Sequence, residues 1–135
     1  MNNVIQNLLI YTKSVKLLYV EDNEEARGYT LELLKRFFDD ISVAINGIEG
    51  LELFNASSFD LIITDINMPV MDGIEMGSKI REINSKIPII FLSAHNEINL
   101  IESAKEIESS VYLSKPIDLE KFIKILEKIA EEHYS

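Results

Sequence analysis

The sequence predicts an open α/β fold with a parallel sheet, on two observations. Short apolar runs of strand length alternate with segments of helical spacing, and the runs are apolar throughout rather than alternating. Strands buried on both faces read this way, and helices on both sides of the sheet are what bury them. At 135 residues the chain is the size of one domain.

The first element is a leader. Residues 2–12 are expected to form a short amphipathic helix, since Met1, Val4, Ile5, Leu8 and Leu9 follow an i, i+3, i+4 stripe with Asn2 and Asn3 as caps. So short a helix needs a partner surface: the rest of the chain, a second copy in a homodimer, or a preceding domain of which it is the stump; the alternative is a disordered tail. Strand 15–20 follows, then a helix over 24–38 whose apolar positions are Ala26, Tyr29, Leu33, Leu34, Phe37 and Phe38. Strand 41–45 leads to helix 47–56, with Ile48, Leu51 and Phe54 on one face. Strand 60–64 ends in a loop whose Pro69 and Asp72-Gly73 are turn signals, with Met68, Val70 and Met71 read as packing residues. Helix 74–84, strand 88–92, helix 97–107, strand 110–113 and helix 118–132 complete the alternation, with Asp118 as N-cap of the last helix. The domain division is 1–14 for the leader and 15–133 for a (βα)5 body.

Composition narrows the function. Hydrophobic residues make up 47% and charged residues 27%, an ordinary globular balance. No apolar run is long enough to span a bilayer, and no secretory signal pattern is present, so no membrane partner is expected. Without cysteine there is no disulfide framework and no thiolate zinc site, which fits a cytoplasmic setting. A net charge of −10 repels nucleic acid, and no local basic patch offsets it.

Polar residues sit where the apolar runs end: Glu21-Asp22, Asp65, Ser93 and Lys115. Ligands of open α/β sheets bind beyond the carboxyl ends of the strands, at the switch point. In the flavodoxin-like strand order 2-1-3-4-5, the strands bearing Glu21-Asp22 and Asp65 are neighbours, and the fold is three-layered. Clustered carboxylates repel unless a cation neutralises them. Oxygen-only ligands favour Mg²⁺ or Mn²⁺, and there is no suitably placed Cys or His for zinc. A carboxylate beside such a cation can act as a nucleophile toward phosphorus, with Lys115 and Ser93 placed to serve the phosphoryl oxygens. Taken singly, an Asp at a strand end is most often a cap or a solvated turn residue.

Over roughly residues 15 to 132 the chain resembles the receiver domain of two-component response regulators. The motifs are Leu18-Tyr19-Val20-Glu21-Asp22-Asn23, Asp65-Ile66-Asn67-Met68-Pro69-Val70-Met71-Asp72-Gly73, Leu92-Ser93-Ala94-His95 and Tyr112-Leu113-Ser114-Lys115-Pro116. The resemblance implies that Asp65 is the phosphoacceptor and Asp22 a direct metal ligand. Glu21 would act mainly through water and Asn67 through its backbone carbonyl. It implies that Lys115 pairs with the phosphoryl group or Asp65, that Ser93 and Tyr112 are a switch pair, and that Asn67 and His95 tune phosphoryl lifetime. It further implies a cis Lys115-Pro116 bond. Glu108 stands where the family commonly has Gly, and Glu21 where Asp is commoner.

The resemblance implies a phosphorylation-driven signalling switch rather than an enzyme with a separate substrate. Its phosphodonor would be a histidine kinase or histidine phosphotransfer domain, its target a downstream protein or output domain. The chain would be stand-alone or part of a larger regulator or hybrid kinase. Two alternatives compete: a phosphorylation-independent interaction module, and a phosphohydrolase working through an aspartyl phosphate. The second typically carries Asp-x-Asp, whereas Asn67 occupies the second position here.

Overall fold

The computed structural model describes residues 2–94, 107 and 110–134. The expected helix over 97–107, apart from its last residue, lies outside them, as do His95 and Glu108. So do the side chains of Met1, Val4 and Ile5 in the predicted leader stripe.

Five parallel strands form one sheet in the order β2-β1-β3-β4-β5. They are β1 (Lys16–Val20), β2 (Asp40–Ala44), β3 (Leu61–Asp65), β4 (Ile89–Ser93) and β5 (Ser110–Ser114). The central β3 and β4 are buried at every position, as their unbroken apolar runs require, while the edge strands β2 and β5 are only partly covered. The strand order reverses between β1 and β3, which pair from Leu17 opposite Leu61 to Val20 opposite Thr64.

The described helices are α1 (Asn2–Ser14), α2 (Glu24–Leu34), α3 (Gly47–Ala56), α4 (Gly73–Ile83) and α5 (Leu119–Tyr134). Side-chain caps start four of them. Asn23 accepts from the Ala26 N–H, Asn46 from the Glu49 N–H and Asp72 from the Glu75 N–H. Asp118 starts α5, accepting from the Lys121 N–H at 3.2 Å.

Each face of the sheet has its own core. Leu18, Val20, Ile62 and Phe91 meet Phe54, Met76 and Ile80 on the α3/α4 side. Leu17, Tyr19, Ile63 and Leu92 meet Leu34, Phe122 and Leu126 on the other. Helix α1 extends this second core, with Leu8, Tyr11 and Val15 buried in it and the Tyr11 ring 5.3 Å from that of His133. The leader thus packs on the body of its own chain.

Several boundaries and faces differ from the sequence reading. Helix α2 stops at Leu34, not at residue 38. The chain then tightens into a turn in which Arg36 and Phe37 bond three residues back, to Leu33 O and Leu34 O. Phe37 and Phe38 are apolar because they are buried after the helix, Phe37 edge-on to Phe122 at 5.5 Å. Strand β2 begins and ends one residue early, which leaves Ile45 exposed in the following loop. Tyr29 and Ile48, expected on apolar faces, are 76% and 43% exposed. Met68 packs in the core as expected, but Val70 is 76% exposed and holds a φ of 73°. A β-branched residue rarely adopts that left-handed conformation.

Candidate functional site

The carboxyl ends of the strands carry the polar residues singled out in the sequence. Glu21 and Asp22 follow β1, Asp65 closes β3, Ser93 closes β4 and Lys115 follows β5. The turn after β1 is held tightly. The Glu21 N–H donates to Ala44 O of the neighbouring strand at 3.1 Å. The Asn23 N–H donates to the Glu21 carboxylate at 3.2 Å, and Arg27 Nη1 donates to Glu21 O at 2.9 Å. Lys115 is tethered to β4 through its own N–H, which donates to Ser93 O at 2.7 Å. The Lys115-Pro116 peptide is cis, as the resemblance implied. Behind the site, Gly73 packs so close to Asp65 that a Cβ would run into the Asp65 carbonyl. The Gly73 N–H donates to Ile66 O at 2.8 Å, folding the β3–α4 loop back over the strand end.

These elements bring Glu21, Asp22 and Asp65 together, with one oxygen from each lying within 4.8 Å of the others. Glu21 and Asp65 are buried and Asp22 is the more open. Lys115 Nζ lies 3.0 Å from Asp65 Oδ1 and 3.4 Å from Glu21 Oε1. Asn67 lines the same groove. Burial and the neighbouring Asp65 push the Glu21 carboxyl up to about 7 against the pull of Lys115. Burial alone would lower the Lys115 ammonium, but its contacts with Asp65 and Glu21 outweigh this and raise it.

Three acids thus face one ammonium, and one of them is close to taking up a proton at neutral pH. Such a set suits a hard divalent cation: every donor is an oxygen, and a second positive charge would stabilise the ionised form of Glu21. A second feature points to a ligand. Ser93 Oγ is fully buried at the end of β4 and meets no hydrogen-bond partner among the described residues, which is uncommon for a buried hydroxyl.

Of the other residues named from sequence, Tyr112 is 37% exposed on β5 and opposite Phe91 in register. His95 lies outside the described residues. Sequence reasoning passed over Arg27, which grips the backbone of the acidic turn. A cation at the start of a helix that otherwise opens with Glu24 and Glu25 was the available signal.

Comparison with known proteins agrees with this geometry. The family model described as "response regulator receiver domain" matches residues 17–127. Curated relatives include a probable transcriptional regulator, ycf29, of Porphyra purpurea, 35% identical over 118 residues, or 86% of this chain and 56% of that protein. The chemotaxis protein CheY of Halobacterium salinarum is 32% identical over 75% of this chain and 84% of its own. Among solved structures, the N-terminal domain of an uncharacterised protein from Wolinella succinogenes superposes with a TM-score of 0.79. It is 32% identical and covers 89% of this chain and 97% of its own. CheY4 of Vibrio cholerae superposes with a TM-score of 0.74 at 28% identity, covering 85% and 98%. Several relatives are much longer: the chain spans 25% of the transcriptional regulatory protein ZraR of Klebsiella oxytoca and 9% of the sensor protein EvgS of Escherichia coli. With the matched region running from β1 into α5, this chain belongs to the response regulator receiver domain family.

Proposed function

We propose that this chain is a phosphorylation-dependent signalling switch that accepts a phosphoryl group on Asp65 from a phosphohistidine donor, with Mg²⁺ or Mn²⁺ at the acidic pocket. The observation that carries the reading is the contact of Asp65 with Lys115 at 3.0 Å, beside two further carboxylates and a buried hydroxyl that has no partner among the described residues. Asp22 and Asp65 would hold the cation directly, Glu21 mainly through water, and Asn67 through its carbonyl. Bound there, the cation supplies positive charge that offsets both the carboxylates and the phosphoryl oxygens.

The geometry supports the following part for the chain's own residues in the transfer. An Asp65 carboxylate oxygen attacks phosphorus as the bond from phosphorus to the donor imidazole nitrogen breaks, and the nitrogen keeps that electron pair. Lys115 neutralises charge on a transferring oxygen. Ser93 Oγ donates to another once the phosphoryl group is in reach, and Tyr112 follows it inward from its exposed position. Asn67, which lines the groove, and His95 would set how fast water removes the phosphoryl group. Asn67 cannot shuttle protons as an acid would, which weighs against a turnover phosphohydrolase. Retention of every acid and of Lys115 weighs against a module indifferent to phosphorylation.

The donor is a histidine kinase or histidine phosphotransfer domain. The groove that holds the acids and Lys115 runs between α2 and the loop before α5, past the exposed side chains of Tyr29 and Leu119. An apolar-rimmed groove beside a nucleophile suits a donor helix that presents its histidine. Intact-mass spectrometry after incubation with acetyl phosphate and Mg²⁺ tests the acceptor. Native chain is expected to gain one phosphoryl group and Asp65→Asn none; equal labelling of both would remove Asp65 from the role.

A further inference from the structure

We propose that Arg27 is a positioning residue for the cation site, its guanidinium fixing the turn that carries Glu21 and Asp22. The inference rests on reading the acidic pocket as a Mg²⁺ site and extends it to a residue outside the pocket's ligands.

Arg27 sits at the end of the first turn of α2, after the acidic pair Glu24 and Glu25. The N-terminal end of a helix carries partial positive charge, so acids are favoured there and a cation is not. Something else must favour an arginine at this place. Its Nη1 donates to Glu21 O at 2.9 Å and, at a longer 3.4 Å, to Asp22 O. Both carbonyls lie beyond the strand ladder, whose registers to β2 and β3 end at Val20. Arg27 thus supplies donors where the sheet no longer does. Its own N–H donates to Asn23 O at 2.8 Å, so backbone and side chain of one residue hold three successive carbonyls.

Two consecutive carbonyls on one nitrogen restrain the two peptide planes that flank the Asp22 Cα, Glu21–Asp22 and Asp22–Asn23. Those planes set the direction in which the Asp22 side chain leaves the backbone, and the first of them also restrains that of Glu21. One side chain is buried toward Asp65 and Lys115 and the other opens to the groove, yet an oxygen of each lies within 4.8 Å of the other and of one from Asp65. Metal ligands are held in geometry by such outer contacts. Arg27 also brings a positive charge close to a cation site, and by Coulomb's law alone that charge opposes Mg²⁺ binding. The two effects therefore have opposite signs. If only charge mattered, removing Arg27 would tighten Mg²⁺ binding; if positioning dominates, removing it weakens binding.

Isothermal titration of Mg²⁺ into the full chain decides between them, using native protein, Arg27→Met, Arg27→Lys, Asp22→Ala and Leu8→Ala, with the metal-free melting temperature of each alongside. Arg27→Met is expected to weaken Mg²⁺ binding about tenfold, the lower end of what lost outer-shell partners cause. Arg27→Lys, with one donor group and the charge retained, should fall between native and Arg27→Met, and it carries the comparison if Arg27→Met does not fold. Leu8→Ala, destabilised at a remote position, should bind as native does. Binding by Arg27→Met that equals or exceeds native binding would overturn the proposal. So would a loss that Leu8→Ala shares at equal melting temperature, since the effect would then be general stability. Failure of native chain to bind Mg²⁺, or undiminished binding by Asp22→Ala, would instead fell the reading of the pocket on which the proposal stands.

Discussion

The two ends of the sheet are built to different ends. Beyond the start of the strands, α1 closes the core with Leu8 and Tyr11, joined by Val15 just after it, each at most 3% exposed and packed among aromatic and aliphatic neighbours. Beyond their carboxyl ends lie two buried acids, a lysine, a hydroxyl without a partner among the described residues, and a β-branched residue at positive φ. One end gains stability from burial; the other gives some up by desolvating charge and straining backbone. Under the proposed function, the contrast marks where the fold is subordinate to a bound cation, whose positive charge would relieve the clustered acids.

Truncating the stabilising end should have the largest effect. Leu8→Ala is expected to lower the free energy of unfolding by about 3 kcal/mol, the ordinary loss for a buried leucine. Urea titration measures it, and a loss below about 0.5 kcal/mol, the range of a surface substitution, would mean that α1 is not part of the core. Phosphoryl uptake by the folded fraction should be unchanged.

The opposite end should respond to pH. The Glu21 carboxyl is raised in the folded chain from 4.5 to about 7, so the folded state binds the proton more tightly than the unfolded state. Stability contributed by that proton is complete below 4.5 and is lost as pH rises to about 7. Metal-free native chain should therefore lose on the order of 2 kcal/mol relative to Glu21→Gln across this window. Parallel unfolding curves at both ends of the window check it; a constant difference between the two proteins would contradict it.

The smallest effect is expected at Val70. Asparagine tolerates positive φ better than valine, and the side chain is exposed, so Val70→Asn should stabilise the chain by about 1 kcal/mol. A thermal melt that shows a loss would mean that the valine side chain makes a contact that outweighs the strain.

The two ends were also unequally legible in the sequence. Unbroken apolar runs at 61–64 and 89–92 marked buried strands, and the polar residue that closes each run marked the site, because topology alone brings strand ends together. Helix limits were less legible. Phe37 and Phe38 continue an apolar pattern past Leu34, but burial in the core, with Phe37 edge-on to Phe122, holds them in a turn. Tyr29 illustrates the converse: it fits the periodicity of α2, yet points into the open groove beside the acids. Val70 looked like packing because its type is apolar, whereas its backbone is set by the loop that Gly73 folds against Asp65. Arg27 escaped notice because its partners are carbonyls, and only its place after Glu24 and Glu25 at the start of α2 marked it in the sequence.

The separation of the two ends can be tested in one measurement: urea unfolding with and without Mg²⁺ plus beryllofluoride, for native chain, Leu8→Ala and Asp65→Asn. Ligands that bind only the folded state raise its stability by mass action. The unfolding midpoint should rise in native chain, rise by the same increment in the weakened Leu8→Ala, and stay fixed in Asp65→Asn. An equal rise in Asp65→Asn, or no rise in folded Leu8→Ala, would contradict the assignment of ligand relief to the carboxyl end.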